Sequence, residues 1–173
     1  MLGPYVNRHV QDQCSCGLVH VPYDKLIKVL QKGQTPLIDI KFSSGGEIEL
    51  VIHPMSASSI YIAISHVWSD GLGNPLSNAL PRCQLSKIDK YVQSIQDKDF
   101  SLCPSILRKR PLFWMDTLCI PAVEEDLRYE CINKMNMIYS AAKSVLVLDG
   151  ALQKIQREGS TSNEILAQIL CCP

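Results

Sequence analysis

The sequence predicts an α/β domain: a mostly parallel central sheet flanked by helices, with a short helix and a β-hairpin ahead of it. Three observations carry this. From Tyr61 onward, apolar runs of strand length alternate with stretches whose apolar residues recur at helical spacing, the order from which βαβ units are built. Two of the strand-like runs, "PLFWMDTLCI" (residues 111–120) and "SVLVLDG" (residues 144–150), are continuously apolar, as expected where helices cover both sheet faces. At 173 residues the chain has the length of one ordinary domain, enough to bury about two thirds of the surface exposed when unfolded.

Each element has its own signal. Residues 1–59 read as an N-terminal extension. Within it, Tyr23 to Gln31 is a short helical candidate, and "PLIDIKF" and "EIELVIH" are separated by "SSGG", a turn whose glycines permit positive φ. Ile48, Leu50 and Ile52 alternate with Glu47, Glu49 and Val51, the pattern of a half-solvated hairpin strand. Residues 60–173 form the main domain. Its first strand is Tyr61 to Ile64, and Ser65 and His66 end it. A helix follows with Leu85, Ile88, Val92 and Ile95 on one stripe, and after the next strand a second helix carries Leu127, Cys131, Met135, Ile138 and Ala142. Arg128, Glu130, Asn133 and Lys134 occupy its opposite face, where Glu130 and Lys134 are spaced to pair. Glu124, Glu125 and Asp126 sit where its N-terminal dipole favours acids. After "SVLVLDG", Ile165, Leu166, Ile169 and Leu170 stripe a last short helix that Ser162 or Asn163 can cap.

Charge and composition exclude some partners. Lys plus Arg and Asp plus Glu each total 17, so no single-sign field draws the chain to nucleic acid or an anionic membrane. No apolar run approaches the roughly 20 residues of a membrane span, and a soluble, cytoplasmic chain is expected. There are eight cysteines, several of them within apolar patterns. His9, Cys14, Cys16 and His20 offer soft ligands for zinc. A C-x-C pair lacks the two-residue gap of a zinc knuckle, however, and favours a cysteine-containing surface loop, so no metal is assigned.

If the core strands are parallel, Ser65 and His66, Asp116 and Thr117, and Asp149 gather along one edge of the sheet. Ligands of open α/β sheets bind outside the carboxyl ends of strands. The Asp70 to Asn74 loop can offer backbone groups to phosphate, although "GLG" lacks both the dinucleotide fingerprint and a phosphate-loop lysine. Simpler roles compete: Asp116 and Asp149 as caps of following turns, and His66 as the partner of a buried hydrogen bond. Ser65 lacks the flanking glycines of a nucleophile elbow. Cys119 with His66 meets the minimum for a thiol nucleophile, but the apolar "LCIP" disfavours a thiolate and makes a core cysteine the stronger reading. In a different class, Asp70, Asp116 and Asp149 would hold magnesium in a receiver-like phospho-switch.

"YIAISHVWSDGLGNP", "FWMDTLCIP" and Arg128 with "INKMNMIYSAAKSVLVLD", in this order, resemble the fungal heterokaryon-incompatibility (HET) domain. The resemblance implies a cytosolic module of allorecognition and programmed cell death, with a fold similar to the Toll/interleukin-1 receptor (TIR) domain and hence flavodoxin-like. It implies self-association and, by analogy with enzymatic TIR domains, an NAD site walled by Ser65, His66, Trp68, Asp70 and Gly71, with Asp116 and Cys119 beside them. The family usually continues into an "R-x-W-T-x-Q-E" segment, whose glutamate is the counterpart of the TIR catalytic acid. Because the sequence stops at "CCP", the resemblance implies a domain incomplete at its C-terminus. Such a chain would keep binding surfaces and lose NAD cleavage, or be an inert remnant.

Overall fold

The computed structural model describes residues 7–99 and 111–150. The expected C-terminal helix, with Glu164, lies outside them. A five-stranded sheet forms the centre, its strands lying in the order 48–54, 36–42, 112–115, 61–66 and 144–148. Its strands are β2 (Pro36–Phe42), β3 (Ile48–Pro54), β4 (Tyr61–His66), β6 (Leu112–Met115) and β7 (Ser144–Leu148). A separate two-stranded pair joins β1 (Leu18–His20) to β5 (Ala79–Pro81). Helices α1 (Tyr23–Gln31), α2 (Arg82–Asp99), α3 (Asp116–Cys119) and α4 (Glu125–Ala141) complete the described chain.

The α/β class holds, but the sheet is mixed rather than mostly parallel. β4 runs parallel to both β6 and β7, whereas β2 is antiparallel to both β3 and β6. The hairpin therefore extends the central sheet instead of standing apart from it, joined through the Ile38 to Phe113 pairing. Its turn follows from sequence: Gly46 has φ +76, and Ser43 Oγ accepts the Glu47 amide at 3.1 Å. Ile48, Leu50 and Ile52 are buried while Glu49 is exposed, as the alternation requires.

α1 has the expected span and buries Leu26, Val29 and Leu30. α2 buries Leu85, Ile88 and Val92. At the start of α4, Glu125 and Asp126 occupy the first turn, Glu124 accepts a hydrogen bond from the Tyr23 hydroxyl, and Lys134 lies 3.7 Å from Glu130.

Two strand expectations need correction. "PLFWMDTLCI" is a strand only to Met115. Beyond it the chain winds one turn, closed by the Ile120 amide on the Asp116 carbonyl at 2.8 Å. Among the described residues "SVLVL" is not covered on both faces: β7 lies at the sheet's edge, and Val145 and Val147 are 48 % and 55 % exposed. β1 and β5, three residues each, carry too little periodicity to be read from sequence.

The core runs from Leu26 and Leu30 through Leu37, Ile38, Ile52, Ile62, Ile64, Phe113 and Trp114 to Leu85 and Ile138. It fixes the height at which β4, β6 and β7 release their last residues.

Candidate functional site

β4 lies between its two parallel neighbours, β6 on one side and β7 on the other. The chain leaves β4 toward β6 and later returns past it to β7. Where connections diverge to opposite sides of one strand in this way, a crevice opens at the strands' carboxyl ends. His66 is the last residue of β4, and Asp116 and Asp149 directly follow β6 and β7.

Asp116 is the hub. Its Oδ1 accepts hydrogen bonds from His66 Nε2 at 2.5 Å and from the Thr117 amide at 2.6 Å, and its Oδ2 accepts one from Trp68 Nε1 at 2.9 Å. The Thr117 hydroxyl donates to the Leu72 carbonyl at 2.8 Å and stands 3.2 Å from His66 Nε2. The His66 side chain is 1 % exposed and that of Asp116 21 %. Burial alone pushes the Asp116 carboxyl pKa up, but the hydrogen bond and charge of His66, then the Trp68 and Thr117 donors, outweigh it and hold the group below the usual carboxylate range. The result is a fixed, oriented anion rather than a proton donor.

A cleft of about 330 Å³ opens in front of this carboxylate. Trp68, Asn74, Asp116 and Thr117 form one side, and Arg128, Ile132 and Met135 of α4 the other. Trp68 belongs to a single 3₁₀ turn (Trp68–Asp70), and a Cβ on Gly73 would fall 2.6 Å from its indole. Glycine there lets the ring lie against the loop. Asn74 organises the rest: its Oδ1 accepts the Leu76 and Ser77 amides at 3.2 and 3.1 Å, and its Nδ2 donates to the Ala79 carbonyl at 3.0 Å. Arg128 donates to the carbonyls of Pro121 and Ala122, which holds its positive charge at the wall.

The family model of the heterokaryon incompatibility protein (HET) matches residues 61–168. This chain belongs to the HET family. The matched segment starts at the first residue of β4 and contains every member of the Asp116 network. Comparison with curated proteins and with solved structures finds no match.

Of the residues that sequence reading singled out in the HET segment, Trp68 and Asp116 line the cleft, and His66 stands behind Asp116. Ser65, one step earlier on β4, points to the other face and meets the Tyr139 hydroxyl. Asp70 Oδ2 accepts the Gly150 amide at 2.7 Å, tying the end of β7 to the loop after β4. Gly71, at φ +88, lies beneath Arg8, whose Cβ would be 2.3 Å from a Cβ on the glycine. Among the described residues, Asp70, Asp116 and Asp149 do not fall in one gathered ligand group; Asp70 is engaged by the Gly150 amide and Asp116 by His66, Trp68 and Thr117.

Cys119 is buried and lines a separate small cavity with Trp114 and Cys131, where burial raises its pKa far above that of a free thiol. In the native protein it is expected to resist alkylation at pH 8 and to react once the chain is unfolded in urea. Peptide mass spectrometry reads the difference, and rapid native labelling would refute the core role. Sequence reading placed Thr117 at a strand end without its hydroxyl bond to Leu72, and took Asn74 as the end of a loop without the role of its side chain. The Asx-turn signature of "NP" after glycine was the available signal for the latter.

Proposed function

We propose that this HET domain acts in the cytosol as an allorecognition module of fungal programmed cell death, and that its cleft binds a nicotinamide nucleotide. The carrying observation is the Asp116 carboxylate, fixed by His66, Trp68 and Thr117 at a cleft of about 330 Å³, a volume in the range of small-ligand sites. A fixed anion beside an indole suits a cationic aromatic ring by charge and by stacking. It also suits ribose hydroxyls as donors to a carboxylate. Arg128 brings the positive charge that a phosphate needs. The fixed carboxylate supports binding of the cationic ring and of the ribose, and it serves there as an anion and not as a proton donor.

The placement of the cleft, beside the first parallel strand and its following loop, supports the likeness to TIR domains. Self-association belongs to the same reading: Val67, Trp68 and Leu76 expose 44, 40 and 84 % of their surface around that loop. Calorimetric titration with NAD tests the ligand. Wild type is expected to bind, and Trp68→Ala to bind at least tenfold more weakly while retaining its circular dichroism. Failure of wild type to bind would overturn the nucleotide reading. Expression in a fungal host tests the signalling, and unaffected growth would count against it.

A further inference from the structure

We propose that His9, Cys14, Cys16 and Cys83 form a structural zinc site that pins the N-terminal strap, residues 7–17, to the first turn of α2 beside the loop after β4. This rests on a different part of the molecule from the nucleotide cleft. The four ligand atoms lie within 4.8 Å of one another, and all four residues are partly buried. His9 Nδ1 is 3.4 Å from Cys16 Sγ and 3.5 Å from Cys83 Sγ. A tetrahedral centre with Zn–S near 2.3 Å and Zn–N near 2.0 Å requires N-to-S edges of about 3.5 Å. Both printed edges from His9 already have that length, and the remaining sulfurs lie within 4.8 Å, so small side-chain rotations close the tetrahedron.

The local structure is that of a ligand set rather than a chance meeting of thiols. The three cysteines are free. An odd number of thiols cannot all pair as disulfides, and a histidine nitrogen at the remaining corner has no part in one. Two backbone amides point at sulfur: Cys83 N at Cys16 Sγ and Val10 N at Cys83 Sγ, each at 3.3 Å. Amide donors of this kind stabilise thiolates and orient them for a cation. Three thiolates and an imidazole are soft ligands, and four protein donors leave no open position, which selects zinc in a structural role over a catalytic or hard-cation site.

The segment also needs such a clamp. Residues 7–17 form no helix or strand, and Val10 is 45 % exposed, so little apolar burial holds the strap. Its other ties include the Arg8 amide on the Gly71 carbonyl at 3.3 Å, Gln84 Nε2 on the Arg8 carbonyl at 2.9 Å and the Arg82 amide on the Gly17 carbonyl at 3.1 Å. The metal would bind three ligands from the strap to one in the first turn of α2, and so press Arg8 onto Gly71 next to the turn that carries Trp68. His20, which shares the sequence cluster, instead pairs with Ala79 in the β1–β5 ladder, and Cys83 takes the fourth corner.

The full-length chain, purified without a histidine tag and under reducing conditions, should carry one zinc per chain by plasma mass spectrometry. Cobalt exchanged into it should show the intense thiolate charge-transfer and tetrahedral visible bands of an S₃N site. Cys83→Ser should weaken metal affinity by about a hundredfold or more, whereas His20→Ala should leave it unchanged. Should Cys83→Ser fail to fold, the wild-type cobalt spectrum decides alone. Metal-free protein that does not take up zinc would overturn the site, as would a cobalt spectrum without thiolate bands, release of metal by His20→Ala, or a Cys14–Cys16 or Cys16–Cys83 disulfide in the reduced preparation.

Discussion

Asp116→Ala is expected to destabilise the domain by about 3–5 kcal/mol and to abolish binding at the cleft. Removing a buried acceptor leaves the donors that faced it without compensation, which is why the cost exceeds that of a surface ion pair. Here His66 Nε2, Trp68 Nε1 and the Thr117 amide all lose their acceptor at once. The wall of the cleft loses its orientation together with its charge. Asp116→Asn separates the two effects. It keeps one acceptor oxygen and the shape but not the charge, so it should cost less in stability and still lose most of the binding.

The acid dependence has a definite sign. The folded-state pKa of Asp116 is depressed, so its stabilisation is full above the unfolded value near 3.9 and is lost as the pH falls through the lower folded value. The stability gap between wild type and Asp116→Asn should therefore be widest at neutral pH and close below about pH 4. Urea unfolding at a series of pH values reads this, and a gap that does not vary with pH would show that the carboxylate is not held as an anion.

What the sequence revealed, and what it withheld, divides along the range of the interactions. The hairpin, α1, the paired Glu130 and Lys134 and the acids before α4 are set by neighbours within a few residues, and each is legible as pattern. The mixed sheet is not, because one bridge between Ile38 and Phe113 decides on which side the hairpin docks, and no local period encodes it. The convergence of His66 and Asp116 at the edge was legible once β4 and β6 were taken as parallel. Glycine and aspartate mark an exposed loop, and the family resemblance puts Gly71 in the wall of the site, but its covering by Arg8 comes from a strap distant in sequence. The cysteine cluster shows the same limit. Cys14 and Cys16 are conspicuous together, yet their partner Cys83 is 67 residues beyond Cys16 and sits within the pattern of an amphipathic helix.

Trp114→Ala should be the most destabilising single change in the core, at about 3–5 kcal/mol. The indole is 1 % exposed on the strand that pairs with β4, and its ring meets Tyr139 edge-on with centroids 5.5 Å apart. Domains of this size typically hold about 5–15 kcal/mol in all, so the loss is a large fraction of the total and corresponds to a fall in Tm of about 10 °C. The effect should also reach the cleft. Tyr139 donates to the Ile64 carbonyl at 3.2 Å near the end of β4, and the cavity left beside it frees the ring that holds this strand end. Because the chain has two tryptophans, the variant leaves Trp68 as the sole indole, and its fluorescence then reports on the site alone. A shift of that emission in the folded variant would show that the core sets the position of Trp68. Trp114→Phe should recover more than half of the loss, since a phenyl ring restores most of the apolar volume. A cost below about 1 kcal/mol for Trp114→Ala would mean that β6 is not packed as described, and the placement of Asp116 at its end would fall with it.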